Sequence, residues 1–332
     1  MLSEFALIDE IRRGFPTPEG VDVGIGDDAA VLSDRFDVVT TDMLVEEVHF
    51  RLDWCSPEHV GWKSLVASLS DVAAMSAVPG PFVVGLGLGA SHDEATARGL
   101  VEGLRRASEY AGGGRVGPVG GDLSSTPGPA VVSVTLFGDL EGRQPVLRGG
   151  ASPGDRLVLF GTPGRSAAGL ASLEAWGMEA VDRVPQLVEA YSRPTAQLAA
   201  GAELGRRGLA TALIDVSDGL VRDLGHLVDE SEVGARIEVS QLPIDDDLVE
   251  AGEALSVDPI DFVLRGGEDF SLLAAIPSRR VDPIRQLAED AGWPMSVIGA
   301  IVDPAEGLSV VEPSGDLRTI GSGGYEHFRA GD

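Results

Sequence analysis

The sequence predicts an α/β (α+β) chain of two domains, and three observations carry that expectation. Capped, amphipathic helical segments alternate with short apolar strands along most of the 332 residues. A stretch rich in Gly, Pro and Arg, from Glu141 to Asp155, interrupts them before the midpoint. The length suits two domains of ordinary size better than one large core. The domains are therefore drawn at 1–140 and 150–332.

The elements follow in order. Ser3 to Arg13 places Phe5, Leu7, Ile8 and Ile11 near one face at helical spacing, a short amphipathic helix. Asp37-Val-Val-Thr-Thr-Asp42 reads as a strand ending in an acid. Ser56-Pro57, a cap followed by proline at the first helical position, opens a helix that runs to Ser76. Pro81 to Leu88 is a strand, and Ser91 with Glu94 makes a capping box for a helix to Tyr110. Ala130 to Leu140 alternates as another strand. Beyond the boundary, Arg156 to Phe160 is a strand, followed by helices over 165–176 and 194–208 and a strand over 211–216. A helix from Asp218 to Glu230 and strands at Ala235–Val239 and Phe270–Ile276 complete the reading.

Composition bounds the function classes. With 53 acidic and 25 basic side chains the formal net charge is −28, and the pI is about 4.4. Gripping nucleic acid or an anionic membrane needs basic patches, so neither partner is expected. The chain is 43 % hydrophobic with a mean hydropathy of +0.11, enough to build a core. Lys63 is the only lysine. An acidic, lysine-poor surface suits life in high salt, and a genomic bias towards Arg codons explains it equally well. Cys55, the only cysteine, excludes a disulfide or a thiolate metal site within one chain and fits a reducing compartment. The N-terminal segment carries acids within its first ten residues and no long apolar core, and no stretch approaches the ~18 apolar residues of a membrane span. A soluble, cytoplasmic protein is expected.

The acids recur in glycine-rich or strand-end settings: Gly24-Ile-Gly-Asp27-Asp28, Thr40-Thr41-Asp42, Gly120-Gly121-Asp122, Asp215-Val-Ser217-Asp218-Gly219 and Gly266-Gly267-Glu268-Asp269. Glycine lets backbone approach a ligand, and Mg²⁺ takes one or two carboxylates while phosphate oxygens and water complete its octahedron. Several such acids converging on one cleft would hold more than one Mg²⁺ against a polyphosphate. Taken singly, each Gly-Asp pair also reads as a turn. Asp71 lies opposite the stripe of Trp62, Leu65, Leu69 and Val72, beside Ser64, Ala67 and Ser68. It is either a solvated acid on an outward face or an acid whose small neighbours admit a ligand or another chain. Lys63 lacks the spacing of a phosphate-binding Walker loop. Gly85-Leu-Gly87-Leu-Gly89 has the wrong spacing for a dinucleotide fingerprint and reads as close packing of strand against helix. There is no nucleophile elbow, and the five histidines show no zinc-ligand spacing.

Seven motifs in one order carry a family resemblance: Gly24-Ile-Gly-Asp-Asp-Ala-Ala30, Thr41-Asp-Met-Leu-Val-Glu-Glu-Val-His49-Phe50, Ser68-Leu-Ser-Asp71-Val-Ala-Ala-Met75, Gly120-Gly-Asp122, Arg148-Gly-Gly-Ala-Ser-Pro-Gly-Asp155, Ile214-Asp-Val-Ser-Asp-Gly-Leu220 and Gly266-Gly-Glu-Asp-Phe270. The set resembles the thiamine-monophosphate kinases, within the superfamily that includes aminoimidazole ribonucleotide synthetase. It spans nearly the whole chain, from Glu4-Phe5 to Gly324-Tyr325-Glu-His-Phe328.

The resemblance implies ATP-dependent phosphorylation of thiamine phosphate to thiamine diphosphate, assisted by several Mg²⁺ ions. It implies an aminoimidazole ribonucleotide synthetase-like fold in which N-terminal domains pair into a homodimer and nucleotide lies near that interface. Carried over by motif, Asp28, Thr40, Thr41, Asp42, Asp71, Asp122, Asp215 and Asp218 are expected at the metals. Tyr110, Gly121, Asp122, Arg148 and Ser217 are expected on ATP, and His49, Glu268 and Tyr325 on thiamine phosphate. No catalytic side chain beyond the metal set is expected, and Asp27 is assigned a supporting role. Two positions depart from the pattern: Glu47 stands where the family usually has glycine, and Leu123 where it has threonine. Synthetases of the same superfamily, which phosphorylate an amide or carbonyl oxygen, are the nearest alternative, and a catalytically silent nucleotide-binding dimer is another. The selenophosphate synthetase pattern wants a reactive Cys or selenocysteine and an N-terminal lysine, and the hydrogenase-maturation pattern ends in cysteine; neither fits.

Overall fold

The computed structural model describes residues 13–15, 21–23, 31–32 and 37–319. The expected helix over 3–13 falls almost wholly outside these, as do Asp27, Asp28 and Tyr325. The chain divides into two compact units, 1–72 with 77–142 and 73–76 with 143–332.

In the first unit a short pair, β1 (Val21–Val23) and β2 (Val31–Leu32), precedes a four-stranded sheet. The sheet holds β3 (Val38–Val45), β4 (Val78–Gly89), β5 (Pro118–Thr126) and β6 (Val131–Asp139) in the order β3-β6-β4-β5. Only β4 and β5 run parallel. The strand expected to end at Asp42 runs on to Val45, so Asp42 lies in its interior. Gly120-Gly121-Asp122 sits inside β5 and not in a loop. Two helices, α1 (Pro57–Ala74) and α2 (Glu94–Tyr110), belong to this unit, although the last residues of α1 cluster with the second.

The helices approach one another through glycine: a Cβ on Gly61 would stand 2.0 Å from Leu100 O, and one on Gly103 2.0 Å from Glu58 O. α2 is capped by Asp93, whose side chain accepts from Thr96 N at 2.9 Å, rather than by Ser91. α1 is buried on both sides. Leu65, Leu69 and Val72 are enclosed, and so are Ser64, Ala67 and Ser68 on the face predicted to look outward. The glycines of β4 close on neighbouring strand and turn, not on a helix. A Cβ on Gly87 would meet Thr126 Cγ2 at 2.7 Å, and one on Gly89 would meet Gly128 O at 2.1 Å.

The second unit is a seven-stranded sheet of β7 (Asp155–Phe160), β8 (Ala212–Val216), β9 (Gly234–Glu238), β10 (Ser271–Pro277), β11 (Met295–Val302), β12 (Leu308–Val311) and β13 (Leu317–Thr319). Its order is β13-β12-β9-β11-β7-β10-β8. Alternation sends Leu157, Leu159, Ile214 and Leu273 into one core and Val158, Phe160, Leu213 and Leu272 into another, one on each face. The larger core is closed by α3 (Arg165–Trp176), α5 (Pro185–Ser192), α7 (Leu220–Ser231), α8 (Asp246–Leu255) and α9 (Pro259–Arg265). The smaller is closed by α6 (Leu198–Arg206) and α10 (Val281–Ala291), and the short α4 (Ala180–Arg183) follows α3. The helix expected over 194–208 is shorter, and the one expected from Asp218 begins at Leu220, after Gly219.

Candidate functional site

In the first unit, strand register decides which acids meet. Asp42 pairs with Val134 and Thr40 with Leu136, and both β6 partners are buried under the helices. Thr40 and Asp42 therefore face α1. Ser68 Oγ donates to Asp42 Oδ2 at 2.7 Å, and Thr40 Oγ1 donates to Asp71 Oδ2 at 2.5 Å. Burial first, and then the charge of Asp71, raise the Asp42 carboxyl to about 6 against the pull of the Ser68 hydroxyl. Two partly buried carboxylates are thus held side by side, each by a hydroxyl.

The same alternation sends two predicted metal residues to the other face. Thr41 pairs with Thr135, and their hydroxyls meet at 2.9 Å. Asp122 pairs through Gly85 with Ser133, in step with Thr41 rather than Asp42, and accepts from Ser124 Oγ at 2.8 Å. Three strand spacings separate β3 from β5, so Asp122 stands roughly 14 Å across the sheet from Asp42. Among the described residues no three His, Cys, Asp or Glu side chains are grouped to hold a metal ion. The expected convergence is an Asp42–Asp71 pair with Asp122 apart. The expected Asp28 lies outside the described residues.

Gly121 has a packing reason to be glycine, because a Cβ there would stand 2.1 Å from Val84 O. Tyr110, at the end of α2, packs on Trp62 with ring centroids 5.3 Å apart. His49 sits in the turn after β3, where its Nδ1 accepts from Val45 N at 3.0 Å; the neutral ring then carries its proton on Nε2. The next strand end is braced by Glu46, whose Oε2 meets His92 Nε2 and Ala130 N, each at 2.8 Å. Glu47 adopts φ 66°, the left-handed region that favours glycine.

In the second unit, β8 and β10 bring two motifs together. Asp215 is buried in β8 opposite Leu272, and Ser217 and Asp218 form the turn beyond it. Glu268 N donates to Ser217 O at 2.7 Å, so the Gly-Gly-Glu-Asp segment lies against that turn. Glu268 and Phe270 both take positive φ, at 62° and 48°. Asp269 between them accepts from Gly164 N at 2.7 Å and Ser166 N at 2.9 Å, satisfying the start of α3. Arg148 is not beside Ser217. Leu213 N donates to Leu147 O at 3.0 Å, which sets Arg148 near the start of β8, roughly 13 Å along the strand from Ser217.

Residues 26–140 match the AIR synthase related protein family in its N-terminal domain, and residues 152–311 in its C-terminal domain. A thiamine-monophosphate kinase of Mycobacterium tuberculosis is 44 % identical over 91 % of this chain and 86 % of its own. The chain belongs to the thiamine-monophosphate kinase family. The crystal structure of thiamine-monophosphate kinase from Stenotrophomonas maltophilia K279a superposes with a TM-score of 0.80 at 34 % identity, over 93 % of this chain and 96 % of that one. "AaThiL complexed with AMPPCP and TMP" gives 0.74 at 31 % identity, over 98 % and 97 %.

The Asp42–Asp71 pair fits the divalent cation that the resemblance implies. Two carboxylates sharing a partly buried place repel one another, and oxygen-rich sites of this kind are relieved by a hard cation. Sequence reading missed Asp223. Its Oδ2 accepts from both Ser217 N and Asp218 N at 3.0 Å, and burial first of all raises its carboxyl to about 7. Its only sequence signal is an acid one turn into α7, a position that ordinarily reads as solvated surface.

Proposed function

We propose that this chain transfers the γ-phosphoryl group of ATP directly to the phosphate of thiamine phosphate, giving ADP and thiamine diphosphate. The observation that carries the reading is the Asp42–Asp71 pair, fixed by Ser68 and Thr40 in a chain of this family. The acceptor oxygen is ionised at neutral pH, so no side chain has to remove a proton from it. The obstacle is repulsion between two anionic phosphates. Mg²⁺, when bound, would offset that charge. Asp42 and Asp71 of the first unit are its ligands in this reading, with Asp122 at a separate position, and Asp215 and Asp218 serve in the second.

The remaining roles belong to binding and alignment. The nucleotide roles that the resemblance carries fall on Ser217 and Arg148 in the second unit and, taken by itself, on Gly121 and Tyr110 in the first. His49 offers its Nε2 proton to a phosphate oxygen. Glu268 supplies a counter-charge, and Tyr325 an aromatic face, for the thiazolium cation. No phospho-enzyme is expected in this reading, because in-line attack requires only that donor and acceptor be held together.

The protein acts as a homodimer through the open face of the first unit's sheet. Val39 and Met43 are 63 % and 55 % exposed there, apolar side chains set among Thr41 and Thr135 that a second copy would cover. No nucleic acid partner is expected at a net charge of −28. Among the described residues no helix is long and apolar enough to cross a membrane. A cytoplasmic reaction belongs to the same reading, supported by a single cysteine that suits a reducing compartment. The test is ADP release in Mg²⁺ with and without thiamine phosphate: release that requires the acceptor supports the reading, and release that ignores it removes it.

A further inference from the structure

Asp223 takes no part in the chemistry described so far, yet its side chain is enclosed, with only 4 % of the residue exposed. A buried carboxylate is costly to keep unless its acceptors are used. Here one oxygen, Oδ2, receives two backbone donors, Ser217 N and Asp218 N, each at 3.0 Å. Ordinary helix capping does not account for this. The cap of α7 is Gly219, which has no side chain to offer, and Asp223 reaches back past it to the turn itself.

The other side of the turn is closed as well. Ser217 O accepts from Glu268 N at 2.7 Å. A Cβ on Gly219 would stand 2.8 Å from Arg265 O, and one on Gly267 2.6 Å from Ser217 O. The peptide between Ser217 and Asp218 is thus clamped between a carboxylate below and a neighbouring backbone above.

We propose that Asp223 is a positioning residue for phosphoryl transfer: its Oδ2 sets the orientation of the Ser217–Asp218 peptide, and with it where the Ser217 hydroxyl and Asp218 carboxylate are presented. The inference rests on the nucleotide and metal roles proposed above for those two residues. What the turn requires is an acceptor oxygen at one place, not a negative charge. Partners that orient a ligand without touching the substrate typically carry tenfold to hundredfold effects, since small displacements spoil alignment.

Two variants of the full chain separate these requirements. Asp223→Asn keeps an acceptor oxygen in place and removes the charge; Asp223→Glu keeps the charge and displaces the oxygen by one methylene. Each is assayed for kcat and for KM of both substrates, for binding of a non-hydrolysable ATP analogue in Mg²⁺, and for its melting transition. The expected result is near-parental behaviour for Asp223→Asn and a loss of about tenfold or more in analogue affinity and in kcat/KM for ATP for Asp223→Glu. The KM for thiamine phosphate stays unchanged and melting stays cooperative. A parental Asp223→Glu, an Asp223→Asn as impaired as Asp223→Glu, or an equal rise in both KM values overturns the proposal. The binding arm needs no turnover. A parent protein that binds the analogue but forms no thiamine diphosphate therefore removes the kinase reading while still judging Asp223.

Discussion

Thr40 Oγ1 donates to Asp71 Oδ2 across 2.5 Å, tying β3 to α1 beside Asp42. With Ser68 Oγ on Asp42 Oδ2 at 2.7 Å, each acid of the pair has a hydroxyl that fixes its direction. Held that way, the carboxylates cannot turn apart to relieve their repulsion, which protonation of Asp42 or a bound cation would relieve.

Asp42→Asn removes one charge of the pair without changing its shape. Turnover should fall by about a hundredfold to a thousandfold, by analogy with the loss of a group that stabilises developing charge. The metal-free protein should melt higher than the parent. Burial and Asp71 raise this carboxyl from its ordinary 3.8 to about 6. The folded state holds a proton that the unfolded state releases between these values, so stability falls as pH rises from about 4 to about 6. Above that window the full penalty applies, on the order of 3 kcal/mol. Melts of parent and variant at pH 5 and pH 8, without metal, check it; a gap that does not widen at pH 8 contradicts it.

Glu47→Gly should stabilise the fold by up to about 1 kcal/mol, because φ 66° is strained for glutamate and free for glycine. The exposed contact to Arg51, at 3.5 Å, returns little of that when lost. Denaturant titration measures the difference, and a destabilised variant would show that the side chain matters more than the backbone.

Gly121→Ala should destabilise the first unit strongly, since its Cβ would stand 2.1 Å from Val84 O. Gly120→Ala, whose Cβ would meet only Val83 Cγ1 at 3.8 Å, should be nearly neutral. Comparable melting of the two variants contradicts a packing role for Gly121.

Local pattern carried much of this molecule. The Ser56-Pro57 helix start and the motifs that mark the family depend on neighbours in sequence. What local pattern missed depends on pairing. Taken singly, Gly121-Asp122 reads as a turn because glycine usually marks one, yet it lies inside β5, where Gly121 admits the close approach of Val84 O. That Thr41 faces away from Thr40, Asp42 and Asp71 follows from the period of a strand once its span is known. That Asp122 shares the face of Thr41 follows from register with residues far along the chain, which no local pattern encodes. Helical spacing sets Asp71 opposite the stripe of Leu65, Leu69 and Val72, but that side is covered and not solvated, because α1 packs on two faces.

Met43→Glu places a charge on the open face of the sheet, where Met43 is exposed in the single chain. Sedimentation should find monomers in place of dimers, with the monomer still folded. A dimer unaffected by Met43→Glu and by Val39→Glu would move the interface elsewhere.

The most direct measurement follows phosphorus in one tube of protein, Mg²⁺, ATP and thiamine phosphate by ³¹P NMR. The account predicts ADP and thiamine diphosphate appearing one for one, with no inorganic phosphate ahead of them. ADP accompanied by inorganic phosphate, or no new diphosphate signal, would contradict it.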